Sequence, residues 1–293
     1  MPPKEIAANI FELGLVALGW FLIWRLQFSS TTREKRARTH APLQRWNVDG
    51  AGFGFCVLSV LMGWLAATFI MGQLLRHFPS IKDDEALLAI CNGTLSQLGL
   101  LAGVLGGLFY IQQTKPRQSK AAAAPATPAS TEPAVSLLPA ALATFAITVS
   151  VVIPVQLAWK YLLELCHLPT ANQEMVEIFF RTSSTPRVVA LTTMTVLLAP
   201  VVEELVFRGG LFRFLHGRLP YAVALLLPAL VFASLHVNFK TLEGLITLAP
   251  LTAFAVIFSL AYERTGRIAV VMIAHGLFNL HTVVFVLLGL NNG

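Results

Sequence analysis

Long apolar stretches separated by short polar ones run the length of the chain. They lie at about 6–28, 51–75, 87–111 and 137–163, then at 188–207, 221–235, 245–262 and 268–290. An α-helix needs roughly 20 apolar residues to cross a bilayer core about 30 Å thick, and all but the sixth stretch come close to that length. The pattern predicts an all-α, polytopic membrane protein of about eight transmembrane helices, the sixth short for a full crossing.

Composition points the same way. Of the 293 residues, 56% are hydrophobic and 12% charged, with a mean hydropathy of +0.70. A water-soluble domain carries roughly a quarter charged residues, so a soluble fold is excluded. The net charge of +6 would suggest nucleic-acid binding in a soluble protein, but here Lys and Arg sit between apolar runs, where they set membrane orientation. With loops placed alternately on two sides, Lys4, Arg76, Lys82, Lys160, Arg181, Arg187 and Lys240 fall on one side and the other 14 of the 21 basic residues on the opposite one. The richer side is expected to be cytoplasmic, with both termini outside and an even number of spans. The first run lacks a preceding basic region and reads as a retained span, not a cleaved leader. Cys56, Cys91 and Cys166 show no metal-type pairing and read as small core residues.

An Ala/Pro-rich stretch at 115–136, containing AAAAPATPAS, cannot bury a core and reads as a linker. It separates an N-terminal three-span membrane region, 1–114, from a C-terminal core at 137–293 that holds nearly all the polar residues an apolar context makes expensive. Residues 172–184 carry apolar positions at helical spacing and read as a short interfacial helix.

The costly residues begin in the fifth run, LLAPVVEELVFRGGLFRF. A carboxylate at membrane depth costs about 2.5–3.5 kcal/mol on insertion scales, so two adjacent ones need a reason. Glu204 and Arg208 are four apart and can pair on one helix face, whereas Glu203 projects about 100° away. One glutamate is thereby free for chemistry. Taken alone, this segment reads equally well as a helix end at the interface. In the sixth run Phe232 and His236 are four apart, and in the last run so are His275 and Asn279, while His281 points elsewhere. Each histidine singly is better explained as structural. Together, a free carboxylate, two histidines and an amide on three helices make a hydrolytic constellation. From the turn near 217–220, Glu203 and His236 are both about 20–24 Å along their helices, and levelling His275 with them requires the 208–218 hairpin to protrude into the cytoplasm.

The ordered set Glu203-Glu204-x-x-x-Arg208, Phe232-x-x-x-His236 and His275-x-x-x-Asn279 resembles the CPBP family, the CAAX proteases and bacteriocin-processing enzymes also called the Abi family. The likeness covers about 137–290, and the first three spans do not enter it. The resemblance implies an intramembrane endopeptidase open to the cytoplasm, in which Glu203 and His236 activate water. It also implies that His275 and Asn279 stabilise the oxyanion and that Glu204, Arg208 and Phe232 organise the site. Its partners would be membrane lipid and a polypeptide substrate, lipidated in the CAAX case, with no nucleic acid, and its place a plasma or inner cell membrane.

Glu203, His236 and His275 are also a three-ligand zinc set with water in the fourth position. The ligands come from three helices without the compact His-Glu-x-x-His spacing, which favours direct glutamate catalysis and no cofactor. Two other functions compete. An ion- or proton-coupled transporter would use the same residues as a pathway, but it predicts paired repeats with broken helices, and polar residues cluster in one half only. A catalytically silent membrane scaffold would keep the fold without the chemistry.

Overall fold

The computed structural model describes residues 3–30, 43, 46–114, 136–170, 174–237, 239 and 244–290. Among these the chain is helical throughout. Helix α1 is Pro3–Ile23, drawn out by a wide π-helical turn at Trp24–Phe28; α2 is Gly50–His77, α3 Glu85–Thr114 and α4 Leu137–Leu165. The short α5 is Glu174–Arg181, and α6 runs from Thr185 to Leu215. Next come α7 at Tyr221–Ser234, α8 at Leu248–Thr265 behind a tight turn at Leu245–Thr247, and α9 at Ile268–Leu287. Seven helices (α1 to α4, α6, α8 and α9, with their turns) are long and apolar enough to cross a membrane, and the protein is a multi-pass integral membrane protein. The expected shortness of the sixth span holds: α7 has 14 residues, about 21 Å of rise. The linker read at 115–136 lies, except for Ser136, outside the described residues.

Contacts between helix ends report which ends share a side. Lys4 Nζ donates to the carbonyl of Leu288, joining the two ends of the chain. Asp84 and Glu85, at the start of α3, pair with Arg187 and Arg181 at the start of α6 and the end of α5. At the opposite ends, Arg218 donates to the carbonyls of Trp46 and Val48, and Glu263 accepts from Tyr221 and faces His216. These pairings are those of eight alternating passes with α7 counted as one. The end holding Arg213, Arg218, Arg264 and Arg267 is the more basic of the two.

The main core lies among α6, α7, α8 and α9, where Phe207, Phe212, Phe232, Phe254 and Phe258 are buried, with Val152 of α4 against them. Helix α1 packs along α4, and α2 and α3 form a hairpin whose α3 arm leans on α6. Ile178 and Phe179 of α5 are buried against Leu191, Met194, Val283 and Val286. One expectation needs correction. Cys166 is not a core residue but an exposed one at the end of α4, while Cys56 and Cys91 are half-buried.

Candidate active site

The site is carried by α6, whose first irregular stretch follows from one proline. Pro200 has no N–H and crowds the carbonyl four residues back, so the helix widens to a π-helical stretch at Met194–Leu198. Within that stretch the N–H of Ala199 bonds to the carbonyl of Met194. The next N–H would belong to Pro200, leaving the Thr195 carbonyl without a helical donor. Asn279 of α9 supplies one, its Nδ2 donating to Thr195 at 2.8 Å. The helices can approach this closely because α9 carries Gly276 there: a methyl group on it would stand 2.7 Å from the Val196 carbonyl oxygen. After six α-helical residues, Ala199–Glu204, the helix widens again over Leu205–Phe212. Glu203 and Glu204 thus sit between two wide stretches, a form of helix frequent at functional sites.

The two glutamates have different surroundings. Glu204 is fully buried, and its Oε1 accepts from Arg208 Nη1 at 2.9 Å, the pairing expected from their spacing. The same oxygen is 2.9 Å from His275 Nδ1. A carboxylate can only accept, so His275 donates through Nδ1 and turns Nε2 the other way. Arg208, 1% exposed, also donates to the Ala255 carbonyl, and its guanidinium lies 4.9 Å from the Phe232 ring centre, 5.5 Å from Phe258 and 5.9 Å from Phe254. A buried charge needs this many partners, because the desolvation cost is repaid only when its donors are engaged. Phe232 lies among these groups: its ring is 5.1 Å from Phe207, 4.7 Å from His236 and 6.4 Å from His275. That His275 stands level with Phe232 fits a hairpin before α7 that projects beyond the start of α9.

Glu203 keeps 16% of its side chain exposed and makes no bond to Arg208. Its Oε2 is 3.9 Å from His275 Nε2, near enough for one oxygen atom to lie within hydrogen-bond reach of both, and its Oε1 accepts from Gln97 Nε2 of α3 at 3.2 Å. Gln97 belongs to the third span, which the family resemblance does not reach. Its signal was a polar residue inside the third apolar run, which the pattern of spans concealed. Phe254, Phe258 and the Ala255 carbonyl were not foreseen either, since nothing marks them in an apolar helix.

His236 lies at the end of α7 with Nδ1 2.8 Å from the carbonyl of Phe232. When that nitrogen donates, Nε2 is free as a base. Among the described residues His236 makes no hydrogen bond or ion pair with either glutamate; the Phe232 ring stands between it and Arg208. His281 lies elsewhere, against Phe11, Phe145 and Phe285.

The three-ligand metal set does not assemble here. Among the described residues no three His, Cys, Asp or Glu side chains converge as a metal requires. His275 Nδ1 is committed to Glu204, and His236 is held to its own helix.

Residues 185–281, which span this site, match the family model for type II CAAX prenyl endopeptidase Rce1-like proteins. The chain is also 37% identical over 98 residues to the membrane-embedded CAAX protease MroQ of Staphylococcus aureus (strain USA300). That match takes in 31% of this chain and 37% of the relative, so the likeness spans little more than a third of the relative's length. No solved structure matches.

Proposed function

We propose that the protein is an intramembrane endopeptidase that hydrolyses peptide bonds near the cytoplasmic membrane face, with CAAX-type polypeptides as its substrate class, because residues 185–281 match the Rce1-like CAAX endopeptidase model. The observation that carries this reading is the division of labour between neighbouring carboxylates. Glu204 is consumed by Arg208 and His275, whereas Glu203 is partly open and faces His275 Nε2.

In this mechanism Glu203, assisted by His236, takes a proton from water as the water oxygen bonds to the scissile carbonyl carbon. The carbonyl oxygen gains negative charge and is met by the Nε2–H of His275 in its doubly protonated form, whose Nδ1–H is held by Glu204, and by the Asn279 amide, one of whose two N–H groups is free of the Thr195 bond. The tetrahedral intermediate collapses as the C–N bond breaks, and Glu203 passes its proton to the leaving amine. Arg208 and Phe232 hold this arrangement without touching the reacting atoms. His275 lies seven residues into α9, about 11 Å from its cytoplasmic end, a depth that suits a peptide anchored by a lipid in the same leaflet.

The test offers the purified protein, in lipid nanodiscs, a peptide ending in a prenylated CAAX sequence and the same peptide without the prenyl group. The expected result is C-terminal trimming of the prenylated peptide, faster than of the bare one and insensitive to exhaustive chelation. Cleavage that disappears on chelation and returns with zinc would replace direct glutamate catalysis by a metal mechanism. Equal indifference to both peptides would remove the CAAX assignment.

A further inference from the structure

The third span reaches Glu203 through a specific face. Ala86, Ile90, Gly93 and Gln97 follow one another at helical spacing on the side of α3 that meets α6. Ala86 and Ile90 pack with Leu191 and Met194. At Gly93 a methyl group would run into the Met194 sulfur, so a side chain there requires Met194 to move. One turn further on, the close approach lets Gln97 Nε2 donate to Glu203 Oε1. Both Glu203 oxygens then have a direction: Oε1 is held by the amide and Oε2 is turned to His275 Nε2. The opposite amide orientation would set the Gln97 carbonyl oxygen against a carboxylate oxygen, two acceptors facing each other, so the N–H contact is the one the chemistry selects.

We propose that Gln97 is a positioning residue that fixes the rotation of the Glu203 carboxylate and leaves Oε2 to take the proton from water, making α3 part of the enzyme's working site. The inference rests on Glu203 as the base. A glutamate has three rotatable side-chain bonds, and beyond Gln97 the contact Glu203 makes is the longer, 3.9 Å approach of His275 Nε2, so without Gln97 its carboxylate would sweep the partly open site. Misplacing a catalytic group by about 1 Å costs on the order of 100-fold in rate. Gln97 also lies outside the segment that matches the protease family, so this contact comes from the part of the chain whose role that match leaves open.

The experiment compares Gln97→Met, which keeps the volume and loses the donor, with Gln97→Glu, an isostere that donates only when protonated, and with Glu203→Gln. In peptide cleavage Gln97→Met lowers kcat about 10- to 100-fold with KM and thermal midpoint near the parent's. Gln97→Glu is as slow at neutral pH and gains on the parent as pH falls, which lost packing would not produce. A second readout needs no turnover: the infrared difference between parent and Glu203→Gln isolates the Glu203 carboxyl band, and Gln97→Met shifts that band. Parental kcat in Gln97→Met while Glu203→Gln is inactive overturns the role of Gln97 and leaves Glu203 as the base. Full activity in Glu203→Gln overturns the base itself, and an unmoved infrared band overturns the Gln97 contact whatever the turnover.

Discussion

Two histidines of α9 each face a glutamate of another helix. Glu204 and His275 meet at 2.9 Å, whereas six residues further along Glu12 of α1 and His281 stand 3.9 Å apart. By residue type they are alike, yet their surroundings are opposite. Glu204 has Arg208 as a second partner and neither acid nor histidine is more than 5% exposed. Glu12 is 32% exposed, and the Nε2 of His281 is buried without a hydrogen-bond partner among the described residues. The difference teaches that an acid and a histidine at membrane depth do not make a site by themselves. What distinguishes the first pair is a third, cationic member that fixes it and a neighbouring carboxylate, Glu203, left over.

The comparison is broken most severely by removing the cation. Arg208→Leu leaves the fully buried Glu204 without its cationic partner and with His275 alone, and the loss of one partner of a buried pair costs about 3–5 kcal/mol. The thermal midpoint in detergent is expected to fall steeply, or folded protein to be lost altogether. Arg208→Lys rescues little, because one ammonium cannot span Glu204 and the Ala255 carbonyl while lying among three aromatic rings. A midpoint within a degree or two of the parent's for Arg208→Leu would mean the network is ornamental.

Asn279→Ala has a smaller effect of the same kind. It strands the Thr195 carbonyl that Pro200 cannot serve, costing about 1–3 kcal/mol, and denaturation should register that loss. The companion Pro200→Ala restores a helical donor and should recover part of it, provided the wide stretch relaxes. If Asn279→Ala leaves stability unchanged and lowers kcat alone, the amide serves the oxyanion and not the helix. Smallest of all is Glu12→Gln, which loosens a long, lipid-side contact worth at most about 1 kcal/mol and should leave peptide cleavage at the parental rate. A large loss of activity there would make the second pair functional and erase the contrast.

Much of this was legible in the chain. Residue spacing alone joined Glu204 to Arg208, gave Phe232 and His236 a shared face and set His281 apart, because a regular helix fixes which positions meet. Apolar length marked the spans, including the short α7. The illegible parts lie where geometry departs from the regular helix or where helices distant in sequence meet. Pro200 sits in plain view, but that its missing N–H would be answered by Asn279 depends on α9 packing against α6 at Gly276. Gln97 lies among apolar residues of a hairpin remote from Glu203 in sequence, and no period along α3 says which helix it faces. His236 shows the converse: its spacing predicted a site residue, and the structure puts it one aromatic ring away, bonded to its own helix end.

The central claim is that neighbouring glutamates have separate duties, Glu204 in the network and Glu203 in the chemistry. The most direct test is single-turnover cleavage of a peptide substrate by Glu203→Gln, with thermal midpoint and substrate binding measured on the same preparation. The account predicts at least a 100-fold loss of the cleavage step, in the range general-base removal produces, with midpoint and binding close to the parent's. Glu203→Gln that cleaves at the parental rate would contradict it.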